Sequence, residues 1–206
     1  MSQTPARRGR PATVDPARVA ATALRLFTER GFGNVTMDDV ASACGVGRRT
    51  LFRLFPSKAA MVWGGSGEAR DAITEVLGAS SPASPAEALD VVRVAFVASS
   101  TFPAAALEIT RQRLSLIAAD DELLAWGTSS IGTSAALVGE FLARAEGQLE
   151  PSLRAQSLAA ACSAANFAAL VWWAQSAPDR DPAEVVDEAL SHLLDGARTW
   201  VAQDRE

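Results

Sequence analysis

The chain has 206 residues, with 19 Lys and Arg against 24 Asp and Glu, and a formal net charge of −5 at pH 7. This length allows one mid-sized domain, or a small domain followed by a larger one. Two cysteines far apart in sequence and a single histidine argue against a disulfide scaffold and against a zinc site with Cys/His spacing.

Charge is distributed unevenly along the chain. Residues 1–58 carry ten Lys and Arg against four Asp and Glu, a balance of +6, whereas residues 59–206 carry nine against twenty, a balance of −11. Phosphate attracts the first region and repels the second, which is typical of a nucleic-acid-binding module attached to an acidic body. We therefore predict a DNA-binding domain at 15–58 and a separate body at 59–206.

The first fourteen residues form a basic, proline-containing segment with Arg7, Arg8 and Arg10. Such a composition cannot build a core, so we expect a disordered arm. The arm would enter a minor groove or contact phosphate, or else be a solvated tail. The first fifteen residues contain no apolar signal-peptide segment, so the expected location is cytoplasmic.

A first helix is predicted to begin at Asp15 and Pro16, because aspartate is a good N-cap and proline suits the first helical position. Gly31 is expected to end it. Apolar residues at helical spacing give this helix one buried face, formed by Ala20, Ala23, Leu24 and Phe27.

A second, short helix is predicted between Thr36 and Gly45. Thr36 is a good N-cap, Asp39 stands where the acid of a capping box would stand, and Gly45 can adopt the positive φ that ends a helix. A basic segment, 46–58, follows at once. Short helix, glycine turn and second short helix form the helix-turn-helix arrangement, whose second helix enters the major groove.

The basic segment has two faces at helical spacing. The inward-facing residues are predicted to be Val46, Leu51, Leu54 and Phe55. The outward-facing ones are predicted to be Arg48, Arg49, Thr50 and Arg53. Arginine suits the outward face because its planar fork matches phosphate oxygens and the edge of guanine. The alternative is a solvated basic face on an ordinary helix.

Residues 13–58 resemble the DNA-binding domain of the TetR-like transcriptional repressors. The matching residues are Ala23, Leu26, Phe27, Gly31, Phe32, Thr36, Ala41, Gly45, Val46, Thr50, Leu51, Phe55 and Lys58. The segment 47–58, followed by Trp63 and Gly64, is also similar to the actinobacterial mycofactocin-regulator subgroup. Phe52 and Leu54 depart from the family pattern, which has tyrosine and histidine there as phosphate contacts.

The resemblance implies a homodimer that binds palindromic double-stranded operator DNA and responds to a small-molecule effector, with no cofactor. It implies an all-α fold, with an amino-terminal three-helix DNA-binding domain and a carboxy-terminal helical bundle. The DNA-binding residues expected are Thr36, Gly47, Arg48, Arg49, Thr50, Phe52, Arg53 and Lys58.

The body is predicted to be entirely helical. A connecting helix is expected from residue 57 to about residue 77, weakened by its glycines. Further helices are predicted at 86–100, 104–119, 121–146, 152–176 and 182–203, the third with a break at Gly127 or Gly132 as an alternative. No stretch shows the alternation typical of strands.

Residues 155–174 are nearly uncharged and long enough to span a membrane. Because alanine dominates and polar residues interrupt the stretch, burial against a second subunit is favoured, and the resemblance implies dimerisation through the last two helices. The candidate contacts are Ala164, Phe167, Ala168, Leu170, Val171 and Trp173.

The middle helices offer candidates for an effector pocket. These candidates are Phe96, Phe102, Leu114, Ile117, Trp126, Leu137 and Phe141, each of which could instead be plain core. Arg111 and Arg113 stand on an otherwise apolar helix, where one pointing inward could pair with an acidic effector and one pointing outward would be solvated.

Two other classes of function compete with a regulator. An enzyme is not expected, because the sequence has no paired carboxylates with a histidine, no metal spacing, no nucleophile elbow and no phosphate-binding loop. A non-catalytic helical scaffold with an incidental basic end remains the alternative, and a DNA mobility-shift assay distinguishes it from a regulator.

Overall fold

The computed structural model describes residues 14–64 and 66–203, without the side chains of 130 and 198–203. The predicted arm lies outside the described residues except for Val14. The helices are α1 (Pro16–Arg30), α2 (Met37–Cys44), α3 (Arg48–Leu54), α4 (Lys58–Val62), α5 (Ser66–Ala79), α6 (Pro85–Ser99), α7 (Ala104–Ala118), α8 (Asp121–Ala145), α9 (Leu153–Ser176) and α10 (Pro182–Gln203), with a 3-10 turn at Phe32–Asn34. The predicted all-α fold is confirmed, and the chain folds into two compact units, 1–58 and 59–206.

The ends of α1 follow the predicted signals. Asp15 accepts a hydrogen bond at Oδ1 from the backbone N–H of Ala17 at 2.9 Å, and Pro16 is the first helical residue. Gly31 ends the helix with φ 84°, a left-handed value that glycine adopts at little cost. The predicted apolar face is confirmed, because all four of its residues are buried. It forms the core of the first unit.

A capping box starts α2, as predicted. The Asp39 N–H donates to Thr36 Oγ1 at 3.1 Å, and the Thr36 N–H donates to Asp39 Oδ2 at 2.8 Å. Hydrogen bonds from the Thr36 side chain and then its backbone hold the pKa of Asp39 below its ordinary value. Gly45 ends the helix at φ 64°. These local bonds fix both ends of α2 within ten residues.

The single connecting helix predicted from residue 57 to about 77 is wrong, since α4 ends at Val62 and α5 begins at Ser66. Glycine disfavours a helix by about 1 kcal/mol relative to alanine, and Gly64 stands in the break. Trp63 is 8% exposed there and turns its ring into the body. By contrast α8 is continuous through Gly127 and Gly132.

The second unit is built around one hydrophobic core to which α5, α6, α7, α8, α9 and α10 contribute. Its largest fully buried side chains include Leu89, Phe96, Trp173, Leu190 and Leu194. The predicted helices from residue 86 onward are confirmed to within one residue at each end. α7 packs against α8 and α9.

The apolar helix α9 is only partly covered in this chain. Its most apolar 18-residue window has a mean hydropathy of 1.4, and 33% of that window is buried. By length and composition α9 could cross a membrane, a test that core helices of soluble proteins also pass. Much of its apolar surface is therefore open to a further partner.

Candidate nucleic-acid interface

The short helix α3 is held by two buried side chains. Leu51 is fully buried and Phe55 is 9% exposed, and the Phe55 N–H donates to the Leu51 carbonyl at 2.8 Å. Val46 and Leu54 are only partly buried, so the predicted inward face is narrower than expected. This seven-residue helix has two turns, and its buried surface comes mainly from Leu51 and from Phe55, the residue that directly follows the helix.

A tight turn sets the angle between α2 and α3. The Val46 N–H donates to the Ala41 carbonyl at 3.0 Å, and the Gly45 N–H donates to the Ser42 carbonyl at 3.2 Å. These bonds satisfy the last carbonyls of α2 around the left-handed glycine. The position of α3 therefore follows from the turn and from the burial of Leu51.

The opposite side of α3 carries the predicted contact residues. Arg48, Arg49, Phe52 and Arg53 are exposed, whereas Thr50 is partly buried. Arg49 and Arg53 are one helical turn apart, and within the described part of the chain neither forms a hydrogen bond or an ion pair. Both guanidinium groups are therefore available for phosphate oxygens or base edges.

Arg48 is the arginine of α3 that already has a partner. Its Nη1 lies 3.0 Å from Asp38 Oδ2, with both side chains more than half exposed, and its guanidinium carbon lies 5.5 Å from the ring centroid of Phe52. Exposed ion pairs contribute about 0–1 kcal/mol, so exchange of Asp38 for a phosphate would cost little.

Lys58 has a structural role that sequence reasoning missed. Its Nζ donates to the Phe32 carbonyl at 2.7 Å and lies 4.3 Å from the Phe32 ring centroid. The predicted phosphate contact would have to compete with both interactions. No sequence signal indicated them, because 26 residues separate the two positions.

The remaining predicted contacts, Thr36 and Gly47, are both exposed. The hydroxyl of Thr36 lies 2.6 Å from Asp39 Oδ2 and is occupied by the capping box. Gly47 precedes α3, and a Cβ built there would meet nothing within 4 Å. The approach to the start of α3 is therefore open.

The predicted effector residues fall into different settings. Phe96, Leu114 and Phe141 belong to the core of the second unit, and Leu137 packs against it. Two others have different surroundings: Phe102 is partly buried, and Trp126 is 42% exposed. The structure therefore does not gather these residues around one opening.

The two arginines of α7 differ from each other. Arg111 donates from Nε and Nη2 to Glu108 at 3.0 and 2.8 Å, which lowers the pKa of Glu108 together with a bond from Gln112. Arg113 instead has a buried Nε with no hydrogen-bond partner. The predicted effector contact Arg111 is thus committed to its own helix.

A shallow surface depression lies elsewhere, between the start of α6, the end of α8 and the start of α9. Its lining residues are Pro85, Ala88, Leu89, Leu142, Ala145, Glu146, Arg154 and Leu158. None of the predicted effector residues lines it. In the part of the chain that the structure describes, no group of three His, Cys, Asp or Glu side chains is placed to hold a metal.

Trp63 organises an aromatic cluster that the sequence did not reveal. Its Nε1–H donates to the Leu123 carbonyl at 3.0 Å, and its ring lies against Gly127, where a Cβ would be 2.0 Å from Cζ2. Phe167 stacks on it at 6.0 Å between centroids, and Trp126 lies at 6.2 Å. The signal available was a glycine inside a long helix, which often marks a close approach.

The predicted dimer contacts are also divided. Ala164 and Ala168 are exposed, and Phe167 and Val171 are partly buried. Trp173 is wrong as a contact because it is 1% exposed in the core, with its Nε1–H donating to the Arg180 carbonyl. A ridge at four-residue spacing, which we call the α9 ridge, is exposed and consists of Ala160, Ala164, Ala168 and Trp172.

Comparison with protein families identifies both units. Residues 20–62 match the model for bacterial regulatory proteins of the tetR family. Residues 86–198, more than half of the chain, match the model for the MftR C-terminal domain.

Relatives agree with this assignment. The mycofactocin biosynthesis transcriptional regulator MftR of Mycobacterium tuberculosis is 28% identical over 187 residues, 91% of each chain. The FadR repressor of Thermus thermophilus, solved with lauroyl-CoA, has a TM-score of 0.56 at 24% identity and covers 88% of this chain and 94% of its own. FadR of Bacillus halodurans has a TM-score of 0.61 at 14% identity, with 92% and 99% covered. The two structures show a shared fold, and the family models show that this chain is a TetR-family transcriptional regulator of the mycofactocin-regulator type.

Proposed function

We propose that this chain is a homodimeric repressor that binds palindromic operator DNA through α3 in the major groove and is released by a small effector. The observation that carries the proposal is the pair Arg49 and Arg53, exposed and without a partner in the described structure, on a helix fixed by the buried Leu51. Two such guanidinium groups one turn apart suit a guanine edge and an adjacent phosphate.

The α9 ridge supports the homodimer. Three of its four members are alanines, which allow two helices to approach closely, and Trp172 is 49% exposed beside them. A second copy related by a two-fold axis would cover this ridge on both chains. In a dimer, the two copies of α3 would read half-sites about one helical turn of DNA apart, or a multiple of it.

A second copy accounts for α9 better than a membrane does. Polar residues, among them Gln156 and Asn166, interrupt the apolar stretch, and the helix belongs to the core of the second unit along its inner side. We therefore propose a cytoplasmic protein with no membrane partner, in accord with its family.

The effector is proposed to be largely apolar with an acidic end. The FadR neighbour was solved with lauroyl-CoA, so an acyl thioester is the first candidate to examine here. An effector that binds the DNA-incompetent state more tightly shifts the population away from DNA, and the coupling between the two sites is reciprocal.

A genome-wide map of bound DNA, followed by mobility shift on the recovered sites, tests the proposal. Wild-type protein should bind a palindromic sequence, and Arg49→Ala with Arg53→Ala should not. Arg70→Ala, an exposed arginine of α5, is the matched control and should bind normally. If the wild-type protein recovers no specific DNA, the helical scaffold becomes the better interpretation.

A further inference from the structure

Arg113 lies at the edge of the buried face of α7 and is itself partly buried. Thr110, Leu114 and Ile117, which form that face, are 7%, 8% and 1% exposed, and Arg113 flanks them at helical spacing. Its Nε is inaccessible and has no hydrogen-bond partner. Among the described residues Arg113 also forms no ion pair, in contrast to Arg111 two positions earlier.

An arginine held in this way is unusual. Guanidinium remains protonated in proteins, and a buried charged donor without an acceptor destabilises the fold. Burial lowers the pKa of Arg113, and the charge of Glu68 on α5 acts in the opposite direction. Glu68 is exposed and is not within ion-pair distance, so it does not satisfy the buried N–H.

A second unsatisfied group lies on the helix that packs against α7. Ser163 of α9 is 3% exposed, and its Oγ has no hydrogen-bond partner. In the described part of the chain, these two are the buried side-chain polar atoms left without a partner. Asn166, three residues further along α9, is used differently, since its Oδ1 accepts from Ser100 at 3.1 Å.

We propose that an organic anion binds between α7 and α9, with Arg113 as the anchor of its carboxylate or phosphate group. Guanidinium binds either group through two parallel N–H donors, and a ligand that extends from Arg113 to the buried face of α9 could accept a further hydrogen bond from the Ser163 hydroxyl. The apolar part of the ligand would lie against the neighbouring core side chains Leu114 and Ile117. The inference rests on the proposed effector-controlled function and assigns the charged end of the effector to one residue.

The test compares anionic and neutral ligands of equal chain length. Dodecanoate, dodecyl phosphate and dodecanol are titrated below their micelle concentrations, with calorimetry and thermal shift as readouts. Wild-type protein should bind at least one anion about tenfold to a hundredfold more tightly than dodecanol, as expected for charge-assisted hydrogen bonds. The anion that is preferred distinguishes a carboxylate from a phosphate ligand.

Arg113→Met should remove this preference, whereas Arg111→Met, the matched control, should keep it. Ligand-free Arg113→Met should also melt about 2–4 °C higher than the wild type, because the buried N–H donor without an acceptor is gone. Equal affinity of the wild type for anion and alcohol, or a preference that survives in Arg113→Met, would overturn the anchor. A fall in melting temperature would do the same, since it would assign Arg113 a structural role.

Failure of the anchor and failure of the proposed function give different results. Mobility shift without ligand does not involve the proposed anion anchor, so Arg113→Met should bind operator DNA as the wild type does. A wild-type chain that binds no DNA refutes the regulator, whatever ligand it binds. A chain that binds DNA but shows no anion preference refutes only the anchor.

Discussion

The arginines of α3 and those of α7 are held in opposite ways. Arg49 and Arg53 extend into solvent, where an unpaired guanidinium is well hydrated and costs the fold little. Arg113 has a buried Nε with no acceptor, an arrangement that does cost free energy. The first setting suits contact with any large phosphate surface, and the second suits a small ligand that brings its own acceptor. Four experiments can break or sharpen this contrast.

The largest effect is expected from an arginine placed on the α9 ridge. Ala168→Arg would be harmless if the ridge faces water, as α3 does, but it would bury an unpaired charge if a second copy covers it. Burial of that charge should reduce the stability of the dimer by about 3–5 kcal/mol, so that sedimentation experiments show monomers. Ala136→Arg, at an exposed site on α8, should leave the dimer intact. A wild-type chain that is monomeric at micromolar concentration contradicts the dimer itself.

The next effect concerns α3. Arg49→Ala and Arg53→Ala should each weaken operator binding by about 1–3 kcal/mol while leaving the melting temperature unchanged, because both side chains are exposed. Mobility shift on specific and random DNA separates their roles. Loss restricted to the operator indicates a base contact, and equal loss on both indicates a phosphate contact. Unchanged affinity in both variants would remove α3 from the binding surface.

A smaller effect of opposite sign is expected at Asp38. Asp38→Asn releases Arg48 and removes a negative charge beside the recognition helix, so operator affinity should rise by about two- to fivefold at low salt. Asp71→Asn, an exposed aspartate of α5, serves as control. Weaker binding of Asp38→Asn would mean that the ion pair positions Arg48 for DNA.

The smallest effect is expected at the cap of α2. The pKa of Asp39 is depressed in the folded state, so its contribution to stability is present above the unfolded value of about 3.8 and is lost as pH falls through the lower, folded value. Asp39→Asn should therefore melt slightly below the wild type at neutral pH, and the difference should vanish in acid. Thermal melts of both proteins across about pH 2–7, a range that brackets the ordinary carboxylate pKa, measure the difference in melting temperature. A difference that persists at low pH contradicts the prediction.

Local signals allowed much of this structure to be predicted. Asp15, Thr36 and Gly45 act through bonds to residues a few positions away, so their roles can be read from spacing alone. The break after α4 is an intermediate case. Glycine weakens a helix at this point, but the hydrogen bond from the Trp63 side chain to the Leu123 carbonyl could not be read from the sequence.

Contacts between distant residues could not be predicted. Lys58 binds a carbonyl 26 positions away, and Trp63 binds one 60 positions away. Arg111 and Arg113 are two residues apart, hence about 200° around the helix, so the sequence required them to differ but did not tell which one faced inward. That depends on the direction from which α8 and α9 approach α7.

The contact between Trp63 and Gly127 has a consequence for how the family can vary. A side chain at position 127 would occupy the space of the indole ring, since its Cβ would lie 2.0 Å from Cζ2. The side chains at the two positions therefore share one limited space. A homologue that gains even a methyl group at the position of Gly127 must carry a smaller residue at that of Trp63, or a ring turned elsewhere, and the two changes should be inherited together.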